Sequence, residues 1–211
     1  MKRQPPTPPP LPADPRRPRS TPPTLLPRSF YLRSPDVVAR DLLGKLITRT
    51  LNGERLTGRI TEIEAYLGLT DPASHSFIGK TPRNAVLFGP PGVAYVYFIY
   101  GMHYCLNFSC LPDGEPGGVL VRALDPIAGL ETMARLRGFA TVPKPSLLTS
   151  GPGRLCQALD ITRSNANGLD VTRADSPLQV VDDGFRPPSI LTTPRIGIRK
   201  AADRPLRFLV G

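Results

Sequence analysis

Residues 45–67 read KLITRTLNGERLTGRITEIEAYL, and their centre carries the turn from which the architecture follows. Lys45 to Leu51 and Arg55 to Leu67 have the composition of two strands, and they flank Asn52-Gly53, a dipeptide suited to the positive backbone angles of a tight hairpin. Just before them, Ser34-Pro35-Asp36 sets a hydroxyl cap before a proline at the first helical position, which predicts a short helix from Pro35 to Leu43 ending at Gly44. Further along, Val93 to Tyr100 and His103 to Cys110 form a second predicted hairpin around Gly101, and Gly118 to Asp125 adds a strand. A loop from Gly68 to Lys80 leads to another cap and proline pair at Thr81-Pro82. Ile127 to Arg137 and Pro152 to Leu159 read as helices, and Pro194 to Ile198 and Pro205 to Val210 as closing strands. Hairpins outnumber crossover units. The expected fold is a single α+β domain with a mainly antiparallel sheet and surrounding helices.

Composition divides the chain. Of 211 residues, 27 are Pro, and 11 of these fall within residues 1–28, together with six Lys or Arg against one Asp and no aromatic residue. Such a segment cannot bury enough apolar surface to fold, so residues 1–28 are expected to be a disordered, basic tail and residues 29–211 the folded domain. The whole chain carries a net charge of +10, and the domain alone keeps 21 Lys or Arg against 16 Asp or Glu. A positive balance in the folded part favours an anionic partner such as nucleic acid, although solubility alone explains it about equally well. No apolar run approaches the ~20 residues a membrane helix needs, and the basic N-terminus lacks the apolar stretch of a signal peptide, so a soluble intracellular protein with no membrane partner is expected. Three cysteines without CxxC spacing suggest neither a disulfide framework nor a zinc site, and two histidines make a histidine-based metal site improbable.

Alternation along Arg59 to Leu67 puts Ile63, Ala65 and Leu67 on one face and Glu62, Glu64 and Tyr66 on the other. Two carboxylates and a phenol thus share a surface, which parity alone assigns to an ordinary solvated face before a catalytic one. Val119 to Leu124 sets Arg122 inside an otherwise apolar strand, where a buried guanidinium requires a carboxylate partner, and Glu62 and Glu64 are the candidates. A rim position at the strand end is equally compatible with that segment. The segment Tyr95 to Tyr104 concentrates four of the six tyrosines. Strand aromatics usually pack, but in a basic protein they also stack nucleobases, at about 1–3 kcal/mol each, and a bulky side chain at a hairpin tip can enter a duplex as a wedge. His75 lies in the loop beyond the glutamate strand, where loops often carry chemistry, although a lone loop histidine is more often a packing residue.

These blocks resemble the alkyladenine, or 3-methyladenine, DNA glycosylases of the mammalian and bacterial type. The likeness runs through Thr61-Glu62-Ile63-Glu64-Ala65-Tyr66-Leu67-Gly68, Ala73-Ser74-His75-Ser76, Thr81-Pro82-Arg83-Asn84, the hairpin from Tyr95 to Met102, Leu120-Val121-Arg122-Ala123-Leu124, Ser150 to Leu159, and Pro205-Leu206-Arg207-Phe208. It covers nearly everything after the tail. The resemblance implies a monomeric, single α+β domain with a protruding β-hairpin that binds double-stranded DNA containing damaged purines and extrudes the lesion. It places the general base on Glu64, the arginine that helps hold the attacking water on Arg122, and the pocket for the flipped base on Tyr66, His75 and Tyr97. Asn107 corresponds to the asparagine that crowds a guanine amino group, and Tyr100 to the residue that fills the vacated stack. Glu62 then has no catalytic role. His103 departs from the family pattern, which has an aromatic ring there.

The implied chemistry is hydrolysis of the N-glycosidic bond to give free base and an abasic site, with no metal or organic cofactor. An N-alkylated adenine is cationic, so it stacks well between electron-rich rings and leaves without strong acid assistance, and one carboxylate suffices where ordinary glycoside hydrolysis uses two. Arg83, Ser150 and Gly151 are candidate phosphate contacts. Two alternatives are a noncatalytic stacking module and a bifunctional glycosylase lyase acting through a lysine such as Lys80. Such a protein belongs in the cytoplasm with the nucleoid in a bacterium, or in the nucleus of a eukaryote.

Overall fold

The computed structural model describes residues 22–99 and 101–211. Most of the predicted tail, residues 1–21, and the predicted wedge Tyr100 lie outside the described residues. The Asn52-Gly53 turn forms as its sequence predicts, with φ of 50° and 83°, and joins strand β2 (Leu46–Leu51) to the long strand β3 (Glu54–Tyr66). The helix before them, α2 (Pro35–Leu42), begins at the proline as expected and buries Val38, Ala39 and Leu42.

The second hairpin joins β4 (Ala94–Ile99) to β5 (His103–Ser109), and β6 (Gly118–Ala128) lies between β5 and β3. Two further strands, β7 (Leu178–Asp182) and β9 (Arg207–Val210), pair with β2 and β3 respectively, and β8 (Ile190–Thr193) pairs with β9. With β1 (Thr24–Leu25) on β7, the result is one nine-stranded sheet whose ladders are all antiparallel. Because β2 and β9 occupy successive stretches of one edge of β3 (residues 54–59 and 62–64) while β6 covers the other edge, the sheet curls around its longest strand. Ile47, Ile60, Ile63, Val121 and Phe208 meet there in a continuous core. Helix α5 (Pro152–Ala158) seals part of that core by burying Leu155, Cys156 and Ala158. Shorter helices α1 (Arg28–Tyr31), α3 (Leu130–Leu136), α4 (Pro145–Thr149) and α6 (Arg163–Ala166) complete the α+β fold. The three cysteines are free and buried, and they pack as small apolar residues. No helix among the described residues is long and apolar enough to cross a membrane.

Three expectations are corrected. The strand predicted at Pro194 to Ile198 is a loop, and the strand that pairs with β9 is Ile190–Thr193. Proline has no N–H for a ladder, and the two residues after it make tertiary bonds to Asp71 and Glu64 instead. The helix predicted from Ile127 starts at Leu130, because β6 continues to Ala128 opposite Thr57 and turns at Gly129. The fold also reaches back into the predicted tail. Thr24 and Leu25 pair with β7, Leu26 is buried, and Arg28 forms an ion pair with Asp170. Two adjacent leucines supply the apolar surface that the preceding proline-rich residues lack. Removing residues 1–28 should therefore destabilise the protein by about 1.5–3 kcal/mol more than removing residues 1–21, the value of one buried leucine. Thermal denaturation of the two truncations measures the difference, and equal melting temperatures would place the boundary at residue 29.

Candidate active site

Strand alternation places Glu62, Glu64 and Tyr66 on one side of β3, as the sequence predicts, but their environments differ. Glu64 is 0% exposed, a burial incompatible with an ordinary solvated face. Its Oε2 accepts the Tyr66 hydroxyl at 2.9 Å, and its Oε1 accepts the backbone N–H of Ile196 at 2.8 Å. Arg122 Nη1 lies 3.2 Å from the same Oε1.

A bulge puts Arg122 there. Ala123 pairs with Glu62 and Val121 with Ile63, so Arg122 is the extra residue on β6 and its side chain is redirected toward β3. Its carbonyl, freed from the ladder, accepts the N–H of Gly151 at 2.9 Å. The guanidinium bridges the two candidate carboxylates, with Nε donating to Glu62 Oε1 at 2.8 Å, and Arg207 Nε donates to that same oxygen at 2.6 Å. Burial weakens the charge on Arg122, but Glu64 and Glu62 outweigh it and raise the Arg122 pKa above its ordinary value. Glu62 is thus an anchor for two arginines, and Glu64 lies directly behind Arg122, Tyr66 and Ile196, three residues that line a cavity.

The cavity, of about 690 Å³, is large enough for a purine, with Arg122 at its floor and Tyr66, His75, Tyr97 and Asn107 in its lining. The sequence-predicted pocket residues therefore converge although they come from β3, the following loop, β4, β5 and β6. The His75 and Tyr97 rings meet edge-on with centroids 4.5 Å apart, and Tyr95 lies 5.4 Å from Tyr97. His75 Nδ1 is 3.0 Å from the Tyr95 hydroxyl, which fixes the ring in the cavity wall. Burial, and then the nearby Arg83, lower the pKa of His75, so the imidazole is neutral at pH 7. Burial first, with Glu64 second, raises the Tyr66 phenol well above its ordinary range, and burial does the same for Tyr97. A wall of neutral aromatic rings suits a cationic guest. Asn107 is held by its Nδ2 donating to the Tyr95 carbonyl at 3.1 Å.

The three phosphate candidates separate. Ser150 and Gly151 line the cavity, but the Gly151 N–H is already committed to Arg122. Arg83 lies over the Tyr97 ring at 5.8 Å and donates to the Phe98 carbonyl. Sequence reasoning missed Tyr95, Arg207 and the Asp71–Arg195 pair. Tyr95 shares the strand parity of Tyr97 and was the most accessible of them to a sequence reading. No group of three His, Cys, Asp or Glu side chains among the described residues is arranged to hold a metal ion.

A family model for methylpurine-DNA glycosylase (MPG) matches residues 29–211. The chain belongs to this family. Every residue that forms the floor and walls described above falls inside the matched segment, whereas β1 precedes it. Curated relatives carry 3-methyladenine DNA glycosylase as a provisional name. One so named, from Koribacter versatilis, is 57% identical over 188 residues, covering 88% of this chain and 89% of that protein. One from Burkholderia cenocepacia is 47% identical over 190 residues, covering 90% and 89%. A third, from Methanocella arvoryzae, is 48% identical over 187 residues, covering 87% and 91%.

Proposed function

We propose that this chain is a monofunctional DNA glycosylase of base excision repair that releases alkylated purines, 3-methyladenine among them, from duplex DNA. The observation that carries this reading is a wholly buried carboxylate, Glu64, beside a guanidinium at the floor of an aromatic-walled cavity of purine size.

The lesion leaves the stack and enters the cavity, at a cost of a few kcal/mol that is smaller at a weakened base pair. Tyr66, His75 and Tyr97 hold the cationic base by its faces, and Asn107 disfavours a guanine amino group. The oxygen of a water attacks the anomeric carbon as the glycosidic bond breaks. The bonding pair goes to the departing base, which becomes neutral, and the water proton goes to Glu64. Arg122 orients water and carboxylate, while Glu62 and Arg207 keep Arg122 in register.

The test is release of free base from duplexes carrying a panel of single lesions. 3-Methyladenine should be liberated with an abasic strand as co-product and without borohydride-trappable enzyme. Absence of release from every lesion duplex would overturn the reading. A second expected outcome concerns the wedge. Tyr100→Ala should weaken binding to lesion duplex by about 1–3 kcal/mol, the scale of one base-aromatic stack, while binding to undamaged duplex changes little. Titration of both duplexes checks this, and equal losses would remove the wedge role.

A further inference from the structure

The aromatic wall, the cavity floor and the loop carrying His75 all attach to one ion pair. Asp71, in that loop, and Arg195, after β8, are 124 residues apart in sequence, and both side chains are 0% exposed. The guanidinium grips both carboxylate oxygens, with Nη1 at 2.5 Å and Nη2 at 2.9 Å. Nη1 also donates to the carbonyl of Ala65 at 3.0 Å, the residue between Glu64 and Tyr66. The Tyr66 ring lies over the same guanidinium, 4.6 Å from its carbon to the ring centroid. The next residue in the chain, Ile196, gives its backbone N–H to Glu64. On the other side, Asp71 accepts the N–H groups of Leu67 and Ala73, which fixes the start of the loop that carries His75.

An ion pair with no exposed atom is a poor source of stability, because desolvating two charges offsets most of their attraction and well-packed apolar residues do as well or better. This one is not even fully satisfied, since Arg195 Nε is buried without a partner among the described residues. Its geometry therefore points to another use. A planar, forked cation is the one side chain able to clamp a carboxylate, a strand carbonyl and an aromatic face together.

We propose that Asp71 and Arg195 are positioning residues for base release: their ion pair holds the Tyr66 ring in the cavity wall and carries the Ile196 amide to Glu64. The inference rests on Glu64 being the general base. Neither residue touches the reacting atoms. Loss of the pair lets the carboxylate and the wall drift relative to the bound lesion, and misplacement of that kind lowers the chemical step more than binding.

The experiment separates positioning from stability. Asp71→Leu combined with Arg195→Met replaces both charges by apolar volume, so the protein should remain folded. The single variant Arg195→Lys keeps the charge but loses the fork. Both are compared with the wild-type chain by thermal denaturation, by affinity for undamaged and lesion duplex, and by single-turnover release of 3-methyladenine normalised to active sites. The expected result is a release rate per active site reduced about tenfold or more in the double variant, and reduced also in Arg195→Lys, with undamaged-duplex affinity unchanged. A folded variant of either kind that releases base at the wild-type rate would overturn the proposal and leave the pair a structural one. Failure of the wild-type chain to release base is a separate result, which removes the glycosylase reading itself.

Discussion

Glu64→Gln should reduce single-turnover release of 3-methyladenine by about 100- to 10,000-fold, the range a general base supplies, while lesion-duplex affinity stays close to that of the parent. The substitution is mild in shape, and the surrounding bonds tolerate it. Oε1 accepts from Ile196 and faces Arg122, so the glutamine oxygen belongs on that side. The new amide nitrogen then meets the Tyr66 hydroxyl, a group that can turn from donor to acceptor. Arg122 loses one anionic neighbour but keeps Glu62. Folding and base stacking therefore persist, and what disappears is the site that takes the proton from water. Rapid-quench release assays beside equilibrium binding separate the two, and a variant that releases base at the parent rate would remove Glu64 from the mechanism.

Much of this site was readable from local sequence, because its key residues sit on strands with strong signals. The Asn52-Gly53 turn fixes where β3 begins, and alternation then puts Glu62, Glu64 and Tyr66 on one side. The isolated charge in Val119 to Leu124 called for a carboxylate partner, and Arg122 has two. Division of labour between those carboxylates was not legible from parity. It depends on Arg207 arriving from β9 to occupy Glu62, and on Ile196 arriving from a loop to occupy Glu64. The bulge that turns Arg122 inward is likewise a register event between two strands that neither strand's composition signals. The segment Pro194 to Ile198 has strand-like residues, yet Arg195 is pulled away to Asp71 across a separation no local period can encode. Short elements such as β7 failed for a different reason, since five residues give too few repeats to establish a period.

Arg122→Gln should be the second most damaging change, and it should act on the rate of release more than on binding. In the native site the guanidinium lies 3.2 Å from Glu64 and also donates to Glu62, so one cation holds the carboxylate in place. Without that cation, Glu64 has only neutral donors, Tyr66 and the Ile196 amide, within a wholly buried setting. A carboxylate and a water that lose their shared donor drift from the line of attack, and misplacement of that kind slows the chemical step more than it weakens binding. Single-turnover release of 3-methyladenine by Arg122→Gln should therefore fall about 100-fold, while affinity for lesion duplex changes little. If Arg122 served only to bind a DNA phosphate, its loss would lower affinity and leave the saturated rate unchanged. The accompanying loss of stability should be near the lower end of the roughly 3–5 kcal/mol that follows breaking a buried pair, because Glu62 retains Arg207 and only Glu64 is left without a cation. Single-turnover rates, taken at DNA concentrations that saturate the variant, read the chemical step alone, and a rate equal to the parent's would return Arg122 to a purely structural role.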